Sequence, residues 1–288
     1  MPLDSRRLRA NLLLLAAAIL WGLAFTAQRV GAEHVGAFTF TAVRFAMGAA
    51  LITAVAGGVD LIRGLSRERR RGLWRQVALP GLVCGSLLTA AAGLQQAAME
   101  HTTAGNAAFV TGLYLVLVPL LGVFLGQRIH WTAVLGIVLA VAGLYLLVVK
   151  EAFTIARGEV LLLASALCFA AQILAVGRWG KLPALRFAAA QFWVCAIECA
   201  AAAFVFDRRP FGQLGLALWP LLYGGLISVG VAYTFQVFGQ RQAEPTQAAL
   251  IMSLESVFGA LGGAILLHES MGPRGLMGAA LMALGMVV

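Results

Sequence analysis

Long apolar runs follow one another along the whole chain, and only short polar segments separate them. An apolar helix of roughly 18 residues or more can cross the hydrocarbon core of a bilayer, which is about 30 Å thick. The runs that reach or approach this length, taken here as predicted spans 1 to 10, are residues 10–29, 36–57, 76–98, 104–125, 131–149, 158–177, 184–206, 214–239, 246–267 and 272–288. The pattern therefore predicts an all-α integral membrane protein with ten transmembrane helices.

The composition agrees with this architecture. Hydrophobic residues make up 61% and charged residues 11% of the 288 residues, whereas about 25% of the residues in a soluble domain are charged. The mean hydropathy is +0.90, so no large soluble domain fits in the remaining segments. The net charge of +9 could indicate a nucleic-acid partner, but the basic residues cluster between spans, as membrane topology requires. We therefore expect the lipid bilayer as a partner and no nucleic acid.

The distribution of Lys and Arg predicts the orientation. With the N-terminus inside, fourteen basic residues lie in inner segments, six lie in outer loops, and Arg44 lies within span 2. Because inner loops carry an excess of Lys and Arg, this bias predicts that both termini lie in the cytoplasm. The expected location is the bacterial inner membrane. The basic start resembles a signal peptide, but the apolar run continues past Ala24, so we expect an uncleaved first helix. Span 10 is short and lacks a charged tail, so we expect a natural C-terminus that is longer or was trimmed.

The second half of the chain echoes the first. At a shift of 141 residues, the segment 107–113 falls on 248–254, and at a shift of 147 Arg44 falls on Gln191. Each half holds five spans, and an odd number means that the second copy enters the membrane from the opposite side. The sequence therefore predicts two inverted five-helix repeats around a central cavity, residues 1–150 (spans 1 to 5) and 151–288 (spans 6 to 10). Secondary transporters are commonly built in this way, with the substrate site near the midplane.

Uncharged amides recur within the apolar spans or at their ends. They are Gln28, Gln95, Asn106, Gln172, Gln236 and Gln247. Two interpretations stay open for each amide. It can join one helix to another, with a contribution of about 0.6 kcal/mol in membranes, or it can contact the polar end of a substrate.

Aromatic side chains accompany several of these amides at helical spacing. Trp21, Phe25 and Gln28 are spaced i, i+4, i+7 on one face of span 1. Phe169 precedes Gln172 by three positions, and Tyr233 precedes Gln236 by three positions. An aromatic surface beside an amide suits a ligand with an apolar side chain and a polar backbone, although aromatic core packing gives the same pattern.

Glu255 is the most informative charged residue. An ionised carboxylate is costly at mid-membrane, so Glu255 is expected to face a cavity, to be protonated or to be paired. It could contact a substrate amine, relay a proton or stabilise span 9 through hydrogen bonds. Arg44 in span 2 is expected to extend outward to the membrane surface or to pair with an acid, and Glu198 in span 7 to have a structural role.

Two residues are predicted hinges. Pro119 lacks a backbone N–H and should kink span 4, and Gly259 loosens span 9. Bends near the middle of cavity helices could open one side of a transporter at a time, and they could equally be static kinks that improve packing.

The sequence resembles the drug/metabolite transporter superfamily, in its ten-helix EamA-type branch. The resemblance covers nearly the whole chain and rests on Leu20-Trp21-Gly22, Arg44, the start of span 4 at Thr102-Thr103-Ala104 and residues 248–255. Within the branch the chain is most similar to YddG-type exporters of aromatic amino acids, through the pattern GNAAFVTGLYLVLVPLL at 105–121. The family often has Glu-Pro in span 9, where this chain has Glu255-Ser256.

The resemblance implies a cavity lined mainly by spans 1, 3, 4, 6, 8 and 9, with spans 2 and 7 further out. All six amides lie on the cavity spans. The candidate substrate-binding residues are Trp21, Phe25, Gln28, Gln95, Asn106, Phe109, Phe169, Gln172, Tyr233, Gln236, Gln247 and Glu255. The expected function is export of aromatic or other hydrophobic amino acids, or related small metabolites, by alternating access.

Other functions are less well supported. An exporter of another metabolite or drug class stays an alternative. An intramembrane enzyme acting on lipid-linked substrates would need clustered catalytic groups, but the histidines His34, His101, His130 and His268 lie in different loops or span ends. The chain has no H-E-x-x-H, no nucleophile elbow, no phosphate-binding loop for ATP and no filter-like loop of a channel. We therefore expect no catalysis, no metal and no cofactor. Proton coupling stays open, and an internal pseudo-dimer is compatible with a monomer.

Overall fold

The computed structural model describes residues 5–102, 104–126, 130–148, 157–266 and 272–287. These residues form ten helices, of which seven are continuous α-helices: α1 Ser5–Ala32, α2 Ala37–Ile62, α3 Arg67–Ala98, α5 Trp131–Val148, α6 Arg157–Arg178, α7 Ala184–Phe206 and α10 Pro273–Val287. The other three, α4, α8 and α9, are interrupted. α4 consists of Ala104–Gly112 and Tyr114–Phe124, and α9 consists of Pro245–Met252 and Glu255–Leu266.

The helices have the length and apolar character of membrane spans. Within the described ranges, seven of them are long and apolar enough to cross a bilayer, and the apolar helices Trp131–Leu146 and Pro273–Val287 are shorter. The ten helices correspond to the ten predicted spans. Their bounds differ most at α3, which begins at Arg67 instead of residue 76 because the basic segment before the apolar run is also helical. The chain is therefore a multi-pass helical membrane protein.

α8 changes its winding along its length. It begins with a 3₁₀ turn at Leu214–Ala217, continues as an α-helix over Leu218–Leu222, widens to a π-helix over Tyr223–Tyr233 and ends as an α-helix at Thr234–Gly239. In a π-helix the backbone hydrogen bonds join residues five apart, a rare geometry that is often found at functional sites. The sequence did not predict this segment.

The interruptions in α4 and α9 lie at corresponding positions. α4 breaks at Leu113, whose N–H donates to Val110 O three residues back. α9 breaks at Ser253 and Leu254, where Leu254 N–H donates to Ile251 O in the same way. The break in α4 precedes Pro119, which lies inside the second segment of that helix.

α2 and α7 lie side by side in opposite directions and form the most extensive helix pair in the described part of the chain. At each end of the pair, an aspartate bonds one helix to the other. Asp207, just after α7, accepts hydrogen bonds from Phe38 N (3.3 Å) and Thr39 N (2.7 Å) at the start of α2. Asp60, near the end of α2, forms a buried ion pair with Arg186 at the start of α7.

The connections gather at two ends of the bundle. At one end, Arg29 near the end of α1 donates from Nη1 to Met99 O beyond α3 (2.8 Å), and Asp207 bonds to the start of α2. At the other end, the α6–α7 turn at Gly180 packs on Gln240 after α8. Between these two ends, helices α3 and α6 pack against each other and against neighbouring helices. The cavity lies in this middle part of the bundle.

Candidate functional site

A small cavity of about 40 Å³ lies in the middle of the helix bundle. Helices α1, α3, α4, α6, α8 and α9 supply its walls, as the sequence led us to expect, and α2 adds one residue. The lining residues are Trp21, Phe25, Gln28, Arg44, Gln95, Thr111, Tyr114, Phe169, Ile173, Ser228, Tyr233, Gln236, Met252 and Glu255.

The close crossing of α1 and α9 places Glu255 beside the cavity. A Cβ atom at Gly22 would lie 2.7 Å from both Glu255 O and Gly259 N, so only glycine lets the two backbones approach this closely. A Cβ atom at Gly259 would lie 3.3 Å from Gly22 O. The two glycines therefore hold the start of the second α9 segment against the middle of α1, next to Trp21.

Glu255 is buried and has one described hydrogen-bond partner. The hydroxyl of Tyr114 donates to Glu255 Oε1 over 3.2 Å. Each residue is the first of the helical segment that follows a break, Tyr114 in α4 and Glu255 in α9. The first turn of a helix has backbone N–H groups without intrahelical partners and stabilises a negative charge. The breaks thus bring an acid and its hydroxyl donor together inside the membrane region.

Aromatic side chains form one wall of the cavity. Trp21 and Tyr233 meet edge to face, with 4.6 Å between ring centroids. Trp21 Nε1 donates to Ser228 O in the π-helical segment (3.2 Å), and Tyr223 Oη donates to Leu20 O (2.8 Å). These bonds fasten the middle of α1 to α8, so the polar atom of the Trp21 ring is satisfied and its apolar surface is left for the cavity.

Amide groups lie beside this wall. Gln95 Nε2 donates to Thr111 Oγ1 (3.2 Å), and Gln236 Nε2 donates to Gln172 Oε1 (3.1 Å). Among the described residues, the side-chain carbonyls of Gln28 and Gln236 are buried without a donor. A buried carbonyl without a hydrogen bond is costly, so these two atoms are available to the N–H groups of a ligand.

Of the twelve candidate residues, eight line the cavity and three do not. Gln172 lies behind the wall, where its Nε2 donates to Gln191 Oε1 (3.1 Å). Phe109 packs in a hydrophobic cluster between helices. Gln247 is exposed near the start of α9 and donates to Asn11 Oδ1 (3.3 Å). The side chain of Asn106 lies outside the described residues.

Six lining residues were absent from the candidate set. They are Arg44, Thr111, Tyr114, Ile173, Ser228 and Met252. Tyr114 could have been found, because it falls on Glu255 at the same shift of 141 on which the predicted repeat rests. Ser228 could not, because its place depends on the π-helical winding of α8.

Arg44 differs most from its expected place. It does not extend to the surface, and it pairs with no acid in the part of the chain that the structure describes. It is 2% exposed, and its guanidinium lies over the rings of Phe40 and Phe45, at 5.7 and 5.2 Å from their centroids. Among the described residues, no acceptor reaches its Nε or Nη2. Its stem rests on Gly224 of the π-helical segment, where a Cβ atom would lie 3.4 Å from Arg44 Cδ.

The described residues contain no cluster of three or more His, Cys, Asp or Glu side chains that could hold a metal ion. The chemistry that the cavity presents is a carboxylate, free amide carbonyls, a guanidinium and aromatic faces. Groups of these kinds are typical of small-molecule binding sites.

Comparison with protein families fits this geometry. The family model described as the EamA-like transporter family matches the chain twice, over residues 8–149 and 156–288. The chain belongs to the EamA-like transporter family. The two matched segments together cover almost the entire EamA-family chain and divide it between α5 and α6.

Relatives of this EamA protein share its full length. A protein of Archaeoglobus fulgidus named as an uncharacterized transporter is 28% identical over 286 residues, which is 98% of this chain and 86% of that protein. The uncharacterized transporter YoaV of Bacillus subtilis is 21% identical over 281 residues, or 94% of this chain and 93% of that protein. A crystal structure with 22% sequence identity superposes with a TM-score of 0.77 over 96% of this chain and 95% of the other, which supports the fold.

Proposed function

We propose that this EamA-family protein is a secondary transporter that exports aromatic or other hydrophobic amino acids across the bacterial inner membrane by alternating access. The observation that carries the proposal is the composition of the cavity. Trp21 and Tyr233 offer an aromatic wall, and Glu255 with the free carbonyls of Gln28 and Gln236 offers acceptors for an ammonium group. A ligand with an aromatic side chain and an amine fits such a set of groups.

Glu255 has a central role in this proposal. Its carboxylate accepts from Tyr114 through Oε1 only, so Oε2 has no described hydrogen-bond donor. A buried carboxylate in a membrane must be paired or protonated, and the ammonium group of a substrate would supply a partner. If substrate and proton both bind Glu255, they compete for it, which is the simplest basis for proton-coupled antiport.

The proposed mechanism uses two inverted repeats, residues 1–150 and 151–288. Three contacts support them. Tyr114 and Glu255, which bond to each other, are 141 positions apart. In the α2–α7 pair, Asp60 contacts Arg186 and Asp207 contacts Thr39. Both partners of one contact lie 147 positions from their counterparts in the other, as a two-fold axis between antiparallel copies requires.

The breaks in α4 and α9 are the proposed hinges. Each places a change of direction next to the cavity, at Leu113 and at Ser253-Leu254. Pro119 and Gly259 lie a few residues further along the same two helices and loosen the second segments. Movement of these segments would open the cavity to one side and close it to the other.

Efflux from proteoliposomes tests the proposed function. Vesicles containing wild-type protein would be loaded with labelled phenylalanine, tryptophan or threonine and followed with and without a pH gradient. We expect efflux of the two aromatic amino acids above that of protein-free vesicles, and slower efflux of threonine. Absence of amino-acid efflux by well-folded protein would refute the substrate class.

Glu255→Gln in the same assay separates the two roles of the acid. If Glu255 carries the coupling proton, efflux by the wild type depends on the pH gradient and efflux by the variant does not. If Glu255 only binds the ammonium group, the variant loses affinity and the wild type is insensitive to the gradient. Glu198→Gln is the matched control, because Glu198 accepts from Ser86 Oγ (2.6 Å) away from the cavity.

A further inference from the structure

Arg44 is a buried cation that forms no ion pair with any of the described residues. It is 2% exposed and lines the central cavity, while its Nε and Nη2 lack acceptors among the described residues. Asp60, which lies on the same helix as Arg44, already forms an ion pair with Arg186. Asp207 is bonded to the backbone at the start of α2. Neither aspartate is among the residues that line the cavity.

Such an arrangement is costly for stability. A charged group in a low-dielectric environment lowers its free energy by pairing with an opposite charge and by hydrogen bonds to all its N–H groups. The rings of Phe40 and Phe45 supply part of the missing interaction through cation–π contacts. The rings offer no hydrogen-bond acceptor in the plane of the guanidinium, so Nε and Nη2 stay without partners among the described residues.

The corresponding position in the second half of the chain carries no charge. Gln191 is the counterpart of Arg44 at a shift of 147. It carries no charge, and its Oε1 accepts from Gln172 Nε2 behind the cavity wall. The counterpart is therefore neutral and is bonded within the protein through Oε1, while its Nε2 has no acceptor among the described residues. Of these two corresponding positions, only the one in the first half, Arg44, carries a charge.

We propose that Arg44 binds the carboxylate of the transported amino acid. A guanidinium presents parallel N–H donors that match the two oxygens of a carboxylate, and the resulting bonds are stronger than neutral ones. Arg44 and Glu255 line the same cavity, one from α2 and the other from α9. One group recognises the carboxylate and the other the ammonium, so the site selects a zwitterion whose side chain lies on the aromatic wall. This assignment rests on the proposed function and adds the substrate group that Arg44 recognises.

Three related ligands separate the two ends of the substrate. Phenylalanine carries both charges, phenethylamine lacks the carboxylate, and 3-phenylpropionate lacks the amine. Their binding to purified protein would be measured by direct titration of each ligand, for the wild type and for each variant. The wild type is expected to bind phenylalanine more tightly than either analogue.

Arg44→Gln should weaken the binding of phenylalanine and 3-phenylpropionate by about 10- to 100-fold, the range for a lost hydrogen bond to a charged group. Phenethylamine has no carboxylate to lose, so its binding should change by less than about threefold, a difference well below the 1.4 kcal/mol of a tenfold change. Arg44→Lys keeps the charge but not the paired donors, and should fall between the wild type and Arg44→Gln. The control is Arg178→Gln, which removes the same charge from an exposed position at the end of α6.

The outcomes distinguish this inference from the proposed function. A similar loss for all three ligands in Arg44→Gln, or no loss for any, would overturn the assignment of Arg44. Binding of 3-phenylpropionate that depends on Arg44, without binding of phenylalanine, would support the carboxylate site and refute the amino-acid substrate. A wild-type protein that binds none of the three refutes both.

Thermal unfolding supplies a second readout that does not depend on ligand. If Arg44 serves the substrate, Arg44→Met should unfold at the same temperature as the ligand-free wild type or higher, because it removes an unpaired buried charge. If Arg44 is a structural residue, the variant should unfold at a lower temperature, and that result would contradict the proposal.

Discussion

At the scale of single residues, the bond between Tyr114 and Glu255 is the clearest polar contact inside the cavity. Both residues are buried, and their bond joins α4 to α9 over 3.2 Å. Tyr114→Phe removes the donor and leaves Glu255 Oε1 without a described partner. We expect a loss of roughly 1–3 kcal/mol in stability, the cost of a buried acceptor left unsatisfied.

Thermal or SDS-induced unfolding in detergent would measure this loss. The matched control is Tyr145→Phe, since Tyr145 lies on the outer side of α5, about half exposed, with its ring near Arg274. An equal change in both variants would show that the Tyr114 hydroxyl has no special role.

The sequence predicted some of the cavity residues and missed others, and the reasons are physical. Glu255 and Trp21 could be singled out because a buried acid and a mid-span tryptophan are unusual in a bilayer. Arg44 was expected at the surface or in an ion pair, since a lone arginine in a span usually has one of these two ways to avoid burial. Whether Arg44 has a partner depends on its distance in space from acids that are far away in the chain. That distance cannot be read from the sequence. Gln172 and Gln236 share a pattern, yet only Gln236 lines the cavity.

At the scale of helices, the crossing of α1 and α9 depends on glycine. Gly22→Ala would place a Cβ atom 2.7 Å from Glu255 O and Gly259 N, so the helices must separate. We expect the variant to unfold at a lower temperature, by a destabilisation of roughly 1–3 kcal/mol, typical of overpacking, and to lose transport because Glu255 moves from its place.

Gly57→Ala is the control for this substitution. Gly57 lies inside α2 with nothing within 4 Å of an added Cβ atom. Alanine favours a helix over glycine by roughly 0.5–1 kcal/mol, so this variant should be as stable as the wild type or more so. A Gly22→Ala protein with wild-type stability and transport would contradict the account of the crossing.

Helix boundaries were predictable because apolar runs and polar connections alternate so regularly. The interruptions within helices were less so. A kink was expected at Pro119 from its missing N–H, but the break in α4 lies at Leu113. The π-helical segment of α8 is apolar and glycine-rich, like an ordinary span. Its wider turn follows from its packing, where Gly225 lies against Met47 of α2 and Ser228 O accepts from Trp21.

At the scale of the whole molecule, the α2–α7 pair ties the two halves together. The two aspartates at its ends have different partners, and their removal should have different costs. Asp60→Asn leaves Arg186 buried without its counter-charge and should destabilise the protein by about 3–5 kcal/mol. Asp207→Asn keeps an acceptor for the start of α2 and should cost about 1 kcal/mol or less.

Unfolding by SDS, monitored by circular dichroism, would compare the two variants. Exchange of the charges in the double variant Asp60→Arg with Arg186→Asp should recover part of the stability lost in Asp60→Asn. Equal and small losses in both single variants would mean that the buried ion pair does not hold the two halves together.

The two inverted five-helix repeats stay a prediction, which rests on small residues and amides that recur at fixed shifts in the sequence. The contacts add what the sequence lacked. The counterparts Asp60 and Asp207 serve the same place in each half, one through a side chain and the other through backbone N–H groups. The sequence could not indicate that these two contacts correspond. Arg186 and Thr39 occupy corresponding positions, but their side chains have nothing chemical in common.

The central claim is that a substrate binds in the cavity and is carried across by a movement between two states. Counterflow tests it most directly. Proteoliposomes with wild-type protein would be loaded with excess unlabelled phenylalanine and diluted into buffer that contains a trace of labelled phenylalanine. A carrier that exposes its site alternately should concentrate the label inside for a time, above its level outside, and Gly22→Ala should not. Label that only equilibrates, without transient accumulation, would indicate a channel and contradict the account.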